Sequence, residues 1–300
     1  MALSATPDRV LADLGATFRP QRQWVEGRGI WLIVGHFLSG VGAGTWLFAL
    51  WLDWRPGLVL AIAAVALSGL AHLRFLGRGA RFWKMYRART SWIARGFVGM
   101  SIFLPAAVLA LLVPPGALSG ALVVLATVGA AILIVYKGNV YAASRGVPFW
   151  NSPVLPILYA TYAIRGGLAL LLVTLPLGGR GIDAHGVGLI ELWVAVSAAV
   201  MLGFYLGVMR STNLAARRSV AELVRGLAAP AFYLGTVAVG LLVPILIGVL
   251  GFAGPLSHAV LAVVGATSLV GDFFAKYAIA KAGIYVPLMP AGREPVAPAA

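Results

Sequence analysis

The chain has 300 residues, 61% of them hydrophobic and 11% charged, and a mean hydropathy of +0.94. A soluble domain carries about 25% charged residues, so this composition excludes an ordinary globular enzyme, a disordered chain and a nucleic-acid-binding module. The net charge of +14 sits in short basic clusters between long apolar runs, and without cysteine the chain supplies neither disulfides nor thiolate ligands; an iron–sulfur cluster would belong to another subunit.

The first 28 residues place Asp8, Arg9, Asp13 and Arg19 among apolar positions and lack the continuous apolar core and small-residue cleavage site of a signal peptide. They read as an interfacial arm. A helix needs about 20 apolar residues to cross the hydrocarbon core. Eight stretches qualify, at about 31–52, 57–75, 93–113, 118–138, 154–176, 187–209, 230–251 and 256–278. Most breaks carry Pro or Gly, as at Pro56-Gly57, Pro114-Pro115-Gly116, Pro153, Gly178-Gly179, Pro230 and Gly254-Pro255. Connections are short except for basic stretches near 74–92 and 210–229. The fold class is therefore all-α and membrane-spanning, with eight transmembrane helices and no soluble domain. Gly116, Leu118, Ser119 and Ala121 recur as Gly254, Leu256, Ser257 and Ala259, a weak sign of two parallel halves.

Loop charge orients the spans. The side shared by the termini and loops 2–3, 4–5 and 6–7 counts 20 Lys and Arg, against Arg55 and Arg180 opposite. Both termini are expected in the cytoplasm of a prokaryotic inner membrane. Trp24, Trp31, Trp83, Trp92 and Trp150 would mark that interface, and Trp51, Trp54 and Trp193 the other.

Polar groups inside a bilayer are costly. Arg165, about twelve residues into the fifth span, costs roughly 2.5–3.5 kcal/mol at mid-membrane. It pairs with Asp272 or a carbonyl on a structural reading; with Glu191 and His72 as further stations, it forms a proton path on a functional one. The four histidines allow a haem alternative, since His36 and His72 fall toward one side and His185 and His258 toward the other. His185 lies in a Gly-rich loop, where solvation is the default, and haem is the weaker reading. His36 precedes the small-residue run Ser39-Gly-Val-Gly-Ala-Gly-Thr45, which suits either close helix packing or a flat ligand. The fourth span ends in Tyr136-Lys-Gly-Asn139-Val-Tyr141, whose phenols and amide serve either as interfacial anchors or as donors to a quinone carbonyl. No phosphate-binding loop, His-Glu-x-x-His or nucleophile elbow is present, so chemistry on a polar substrate would belong to partner chains.

Two segments carry a resemblance. His72-Leu-Arg-Phe-Leu-Gly-Arg-Gly-Ala-Arg-Phe-Trp83, with Arg89-Thr-Ser-Trp92 and Arg95-Gly96, resembles the region between the second and third spans of the NrfD/PsrC family, membrane subunits of polysulfide-reductase-like oxidoreductases. Tyr136-Lys-Gly-Asn-Val-Tyr-Ala-Ala-Ser144-Arg145-Gly-Val-Pro148-Phe-Trp-Asn151-Ser-Pro-Val-Leu-Pro156 resembles that family's segment joining the fourth and fifth spans. The resemblance implies two four-helix bundles, dividing the chain into the arm at 1–28, a first bundle at 29–138, a motif loop at 139–153, a second bundle at 154–278 and a tail at 279–300. It also implies a quinone site (menaquinone or ubiquinone) near the face that docks a ferredoxin-like iron–sulfur subunit, with a molybdopterin catalytic subunit beyond. Tyr136 matches the family's quinone-contacting tyrosine by its place in the motif, and His36 is matched to a first-span histidine. Asn139, Tyr141 and Trp150 are expected to join them. The family typically has a small or hydroxyl residue where Arg165 stands.

Arg81, Lys84, Arg87, Arg89 and Arg145 would give the docking face a positive surface for an acidic partner. The resulting reading is the membrane anchor of a respiratory oxidoreductase, surrounded by lipid and not itself catalytic toward the polar substrate. Its catalytic subunits would be cytoplasmic, as in an acyl-CoA:quinone enzyme of the phenylacetyl-CoA type or in sulfur-compound oxidation. The alternatives are a proton-conducting or transporter subunit, and a haem-b-bearing cytochrome anchor.

Overall fold

Each apolar run closes its own backbone hydrogen bonds as a helix, because lipid offers none. The computed structural model describes residues 18–88, 90–178 and 181–286. The spans are α1 (Gly29–Trp51), α2 (Arg55–Leu76), α3 (Trp92–Leu112), α4 (Ala117–Ala142), α5 (Val154–Thr174, extended by a 3-10 turn to Leu177) and α6 (Ala184–Thr212). After the short α7 (Leu214–Arg225) come α8 (Ala231–Ala253) and α9 (His258–Lys281), giving eight helices long and apolar enough to cross a membrane. No strand forms among the described residues, apart from a single bridge between Pro20 and Ile284.

The first four spans pack as a ring, and so do the last four. The rings meet where α1 crosses α5, flanked by α4 and α9. That crossing explains the small-residue run of the first span. A Cβ on Gly44 would strike the carbonyl of Ala163, and one on Gly167 would strike the backbone of Gly44. Both positions must be glycine for the two backbones to touch. α1 and α5 are accordingly the most buried spans, whereas α2, α3, α4 and α8 turn most of their surface outward.

The basic stretches expected as loops are ordered. Residues Gly79–Arg87 form a 3-10 segment, and α7 is an amphipathic helix whose Ala215, Ala216, Ser219, Val220 and Leu223 face inward. The Asn213 side chain caps α7 by accepting from the Ala216 amide at 2.9 Å. At the same end the entering and leaving segments pair, with Gln21 N donating to Gly283 O (2.7 Å) and Tyr285 N to Arg19 O (2.8 Å). Most of the expected arm and tail lies outside the described residues.

Several of the tryptophans expected at an interface are packed inside the protein and do not face outward. Trp150 is 1% exposed and Trp54 7%, and Trp24 packs against Tyr141 and Trp150, while Trp51, Trp83 and Trp193 do face outward. The Trp150 indole donates to Ile279 O at 3.0 Å, so the motif loop is fastened to α9.

Candidate functional site

A cavity of about 600 Å³ opens in the first ring, bounded by α2, α3, the 3-10 segment and α4. Leu70, Leu73, Phe82, Ile93, Phe97 and Met100 give it an apolar wall; its polar groups are His72, Tyr86, Ser101 and Tyr136. Pro105, also in the wall, lacks the N–H that would bond to the Ser101 carbonyl one turn back. Tyr136 is placed by Gly96, where any Cβ would strike its ring, and His72 by Gly35 in the same way. The imidazole of His72 lies 2.8 Å from Ser68 O through Nδ1, which fixes its orientation in the helix.

His36 stands one layer behind. Its ring centroid is 5.5 Å from His72, 5.8 Å from Tyr136 and 5.8 Å from Tyr141, and its Nδ1 has no hydrogen-bond partner among the described residues. The Tyr136 hydroxyl is 3.4 Å from Ser39 Oγ, and the same Oγ accepts from Lys137 Nζ at 3.4 Å. The structure thus brings His36, His72 and Tyr136 together.

The other expected members go elsewhere. Asn139 turns its amide onto Val135 O of its own helix at 2.9 Å. Tyr141 sits among Trp24, Trp150 and Tyr159 at 4.9–5.1 Å, and neither it nor Trp150 lines the cavity. The cause is helical phase. α4 runs on to Ala142, past the boundary expected at 138, so at about 100° per residue Asn139 and Tyr141 point roughly 60° and 140° away from Tyr136. His185 and His258 open α6 and α9 at the opposite end of the molecule.

A second cluster lies deeper, in the other ring. Arg165, fully buried, donates from Nη1 to Asp272 Oδ1 (2.7 Å), from Nε to Glu191 Oε1 (3.2 Å), and from Nη2 to Ser268 Oγ (2.8 Å) and Gly240 O (2.5 Å). Asp272 is one of the partners the sequence offered; Glu191, expected near the outer end of its span, sits in the same cluster. Gly240 is available because Pro244, four residues on, has no N–H to give it, and Ala231–Leu242 is wound as a π-helix. A carbonyl was also among the expected partners, though which one was not named; Pro244 in the seventh span was a readable signal for it, and sequence reasoning missed Ser268. Asp272 Oδ2 and Glu191 Oε2 remain without partners among the described residues.

It also missed two cations. Lys137 and Lys276, counted above with the basic loops, are 0% and 1% exposed inside α4 and α9. The Lys276 ammonium faces the rings of Tyr162 (5.0 Å), Phe37 (5.7 Å) and Tyr159 (6.0 Å). Removing these two from the twenty leaves eighteen against two, so the charge asymmetry survives.

Of the expected docking residues, Arg81, Lys84 and Arg87 are exposed on the 3-10 segment and Arg145 on the motif loop, all at the end that carries the paired terminal segments. Arg89 lies outside the described residues. No group of three or more His, Asp or Glu side chains arranged to hold a metal occurs among the described residues.

Eight apolar spans with a lipid-facing cavity and buried charges between helices define a multi-pass membrane protein. Residues 28–287 match the family described as "Polysulphide reductase, NrfD", and the chain belongs to that family. It is 32% identical over 159 residues to the "Protein NrfD" of Escherichia coli (strain K12), a match covering 51% of this chain and 50% of that protein. The chain thus spans about half the length of the curated relative it matches. Membership and the eight spans together make it a multi-pass membrane protein of the NrfD type.

Proposed function

We propose that the chain is the quinone-binding membrane subunit of a respiratory oxidoreductase, exchanging electrons between an iron–sulfur subunit and the quinone pool. The observation that carries this is the cavity: apolar walls open to the lipid, with a phenol and an imidazole at its inner end and a second imidazole behind them. A quinone head needs a hydrogen-bond donor at its oxygens and an apolar route for its tail; the Tyr136 hydroxyl supplies the first and the cavity walls the second. When bound, the quinone supplies the two-electron, two-proton chemistry. The chain's residues do the rest. Tyr136 Oη donates to a head-group oxygen, His72 is held by its Nδ1–H bond to Ser68 O with Nε2 left as an acceptor, and His36 stands behind both rings. Phe82, Phe97 and Met100 exclude water from the head group.

The exposed Arg81, Lys84, Arg87 and Arg145 would meet an acidic iron–sulfur partner, with a molybdopterin subunit beyond it. The remaining charge asymmetry supports a cytoplasmic setting for that face.

Replacing Tyr136 with Phe keeps the ring and removes one donor. Assembly should persist while quinone-linked turnover falls by about 10²-fold, the usual scale for a positioned proton donor. Full turnover in that variant would overturn the assignment.

One observation favours a second, proton-conducting role. Arg165, Asp272 and Glu191 are buried together, each carboxylate keeping one oxygen unpartnered among the described residues. Glu191→Gln should lower proton translocation in sealed vesicles without lowering uncoupled quinone turnover; unchanged translocation would remove this role.

A further inference from the structure

We infer that Lys137 is the internal proton donor and acceptor for Tyr136, acting through the hydroxyl of Ser39. The inference rests on the quinone reading above and assigns the proton supply of that same site. A lysine five residues from the end of its span would ordinarily extend its ammonium to the interface. Lys137 does the reverse. Its side chain turns inward, is 0% exposed and reaches the space left by Gly40, where a Cβ would lie 2.5 Å from Nζ.

Among the described residues it has no carboxylate partner, since the buried ion pairs there belong to Arg165. Its hydrogen bond is the one to Ser39 Oγ, and that oxygen also meets the Tyr136 hydroxyl. A buried charge held without a counter-charge, on a hydroxyl shared with the cavity's phenol, has no structural economy. It has a chemical use, because an amine gives up and regains a proton where a guanidinium does not.

The step balances. Tyr136 Oη gives its proton to a quinone oxygen as electrons arrive from the iron–sulfur partner. Ser39 Oγ returns a proton to the phenolate and takes one from Lys137, which passes from ammonium to amine. Lys137 then recovers a proton from water at the basic end, and two such cycles accompany the two electrons of one reduction. Quinol oxidation runs the sequence backwards. The other titratable or charged groups around Lys137 are His36 on α1, His72 on α2, Tyr136 on α4 and Lys276 on α9. Lys276 approaches the same crossing, since it covers Phe37 and Tyr162 while Lys137 reaches Gly40 and lies beside Ala163.

The test uses the assembled complex in lipid nanodiscs, with Lys137→Met, which removes the buried ammonium and keeps an unbranched side chain, and Ser39→Ala, which deletes only the bridging hydroxyl. In the unaltered protein, a redox infrared difference spectrum should contain an ammonium deformation band that shifts on ¹⁵N-lysine labelling. Lys137→Met should lose that band, bind a fluorescent quinone analogue as the unaltered protein does, and turn over on the order of 10²-fold more slowly. A membrane-permeant weak acid should restore much of the lost turnover in both variants, which a packing defect would not allow. No ¹⁵N-sensitive band in the unaltered protein, or full turnover in Lys137→Met, overturns the relay. Failure of the unaltered protein to bind the analogue instead overturns the quinone reading beneath it.

Discussion

Replacing Arg165 with Met tests how the second ring holds a charge at mid-bilayer. Arg165 is eleven residues along α5, roughly 16 Å from its start at 1.5 Å per residue, so water cannot easily follow it. Its guanidinium makes four hydrogen bonds, to α6, α8 and twice to α9. Interhelical hydrogen bonds in membrane proteins average about 0.6 kcal/mol, which gives about 2 kcal/mol for the set. The larger effect is what remains. Asp272 and Glu191 would lose their hydrogen-bonded cation, with only Lys276, one turn on from Asp272, left nearby, and breaking a buried pair from one side costs about 3–5 kcal/mol. The expected loss for Arg165→Met is therefore at the upper end, about 3–5 kcal/mol, measured by sodium dodecyl sulfate unfolding in mixed micelles. Adding Glu191→Gln and Asp272→Asn to the same chain should recover about half of it, because no buried carboxylate is left without its guanidinium. A loss below about 1 kcal/mol, or a triple variant less stable than Arg165→Met alone, would refute the reasoning.

Three further outcomes follow. Gly167→Leu should separate the two rings, because its side chain would enter the backbone of Gly44; the check is loss of the folded fraction after detergent extraction, with Gly203→Leu, which meets open space, as the tolerated comparison. Trp150→Phe removes the indole bond to Ile279 O and should cost about 1 kcal/mol, read from the same unfolding curve, with Trp193→Phe on the outer surface near zero. A periplasm-dependent phosphatase fused after Ala300 should be inactive and a cytoplasm-dependent fluorescent protein at the same position bright; the opposite pattern would reverse the orientation of the basic face.

The eight spans were legible because each needs only length and apolarity, and lipid enforces both. Arg165 and Asp272 could be paired from sequence, because a buried guanidinium must find an acceptor and carboxylates inside the spans are few. Glu191 was harder to place. Its depth depended on where α6 begins, and that helix starts at Ala184, three residues before the apolar run suggested. Lys137 and Lys276 were misplaced for a related reason. Each lies within six residues of a span's end beside a basic loop, where hydropathy cannot distinguish an outward-reaching lysine from one turned into the bundle. Asn139 and Tyr141 were grouped with Tyr136 by proximity along the chain, but a helix continuing to Ala142 turns Tyr141 to another face and lets the Asn139 amide bond back to Val135 O. The ordering of α7 was readable in its alternation of basic and apolar residues, and only its place in a connecting stretch concealed it.

The central claim is that quinone binds in the first ring, between α2 and α3 and against Tyr136. Photolabelling the assembled complex with an azido-quinone, followed by mapping of the labelled peptides, tests this most directly. The account predicts label on residues 66–105 and on the peptide holding Tyr136, displaced by excess unlabelled quinone and reduced by Tyr136→Phe. Displaceable label confined to residues 154–281 would contradict it.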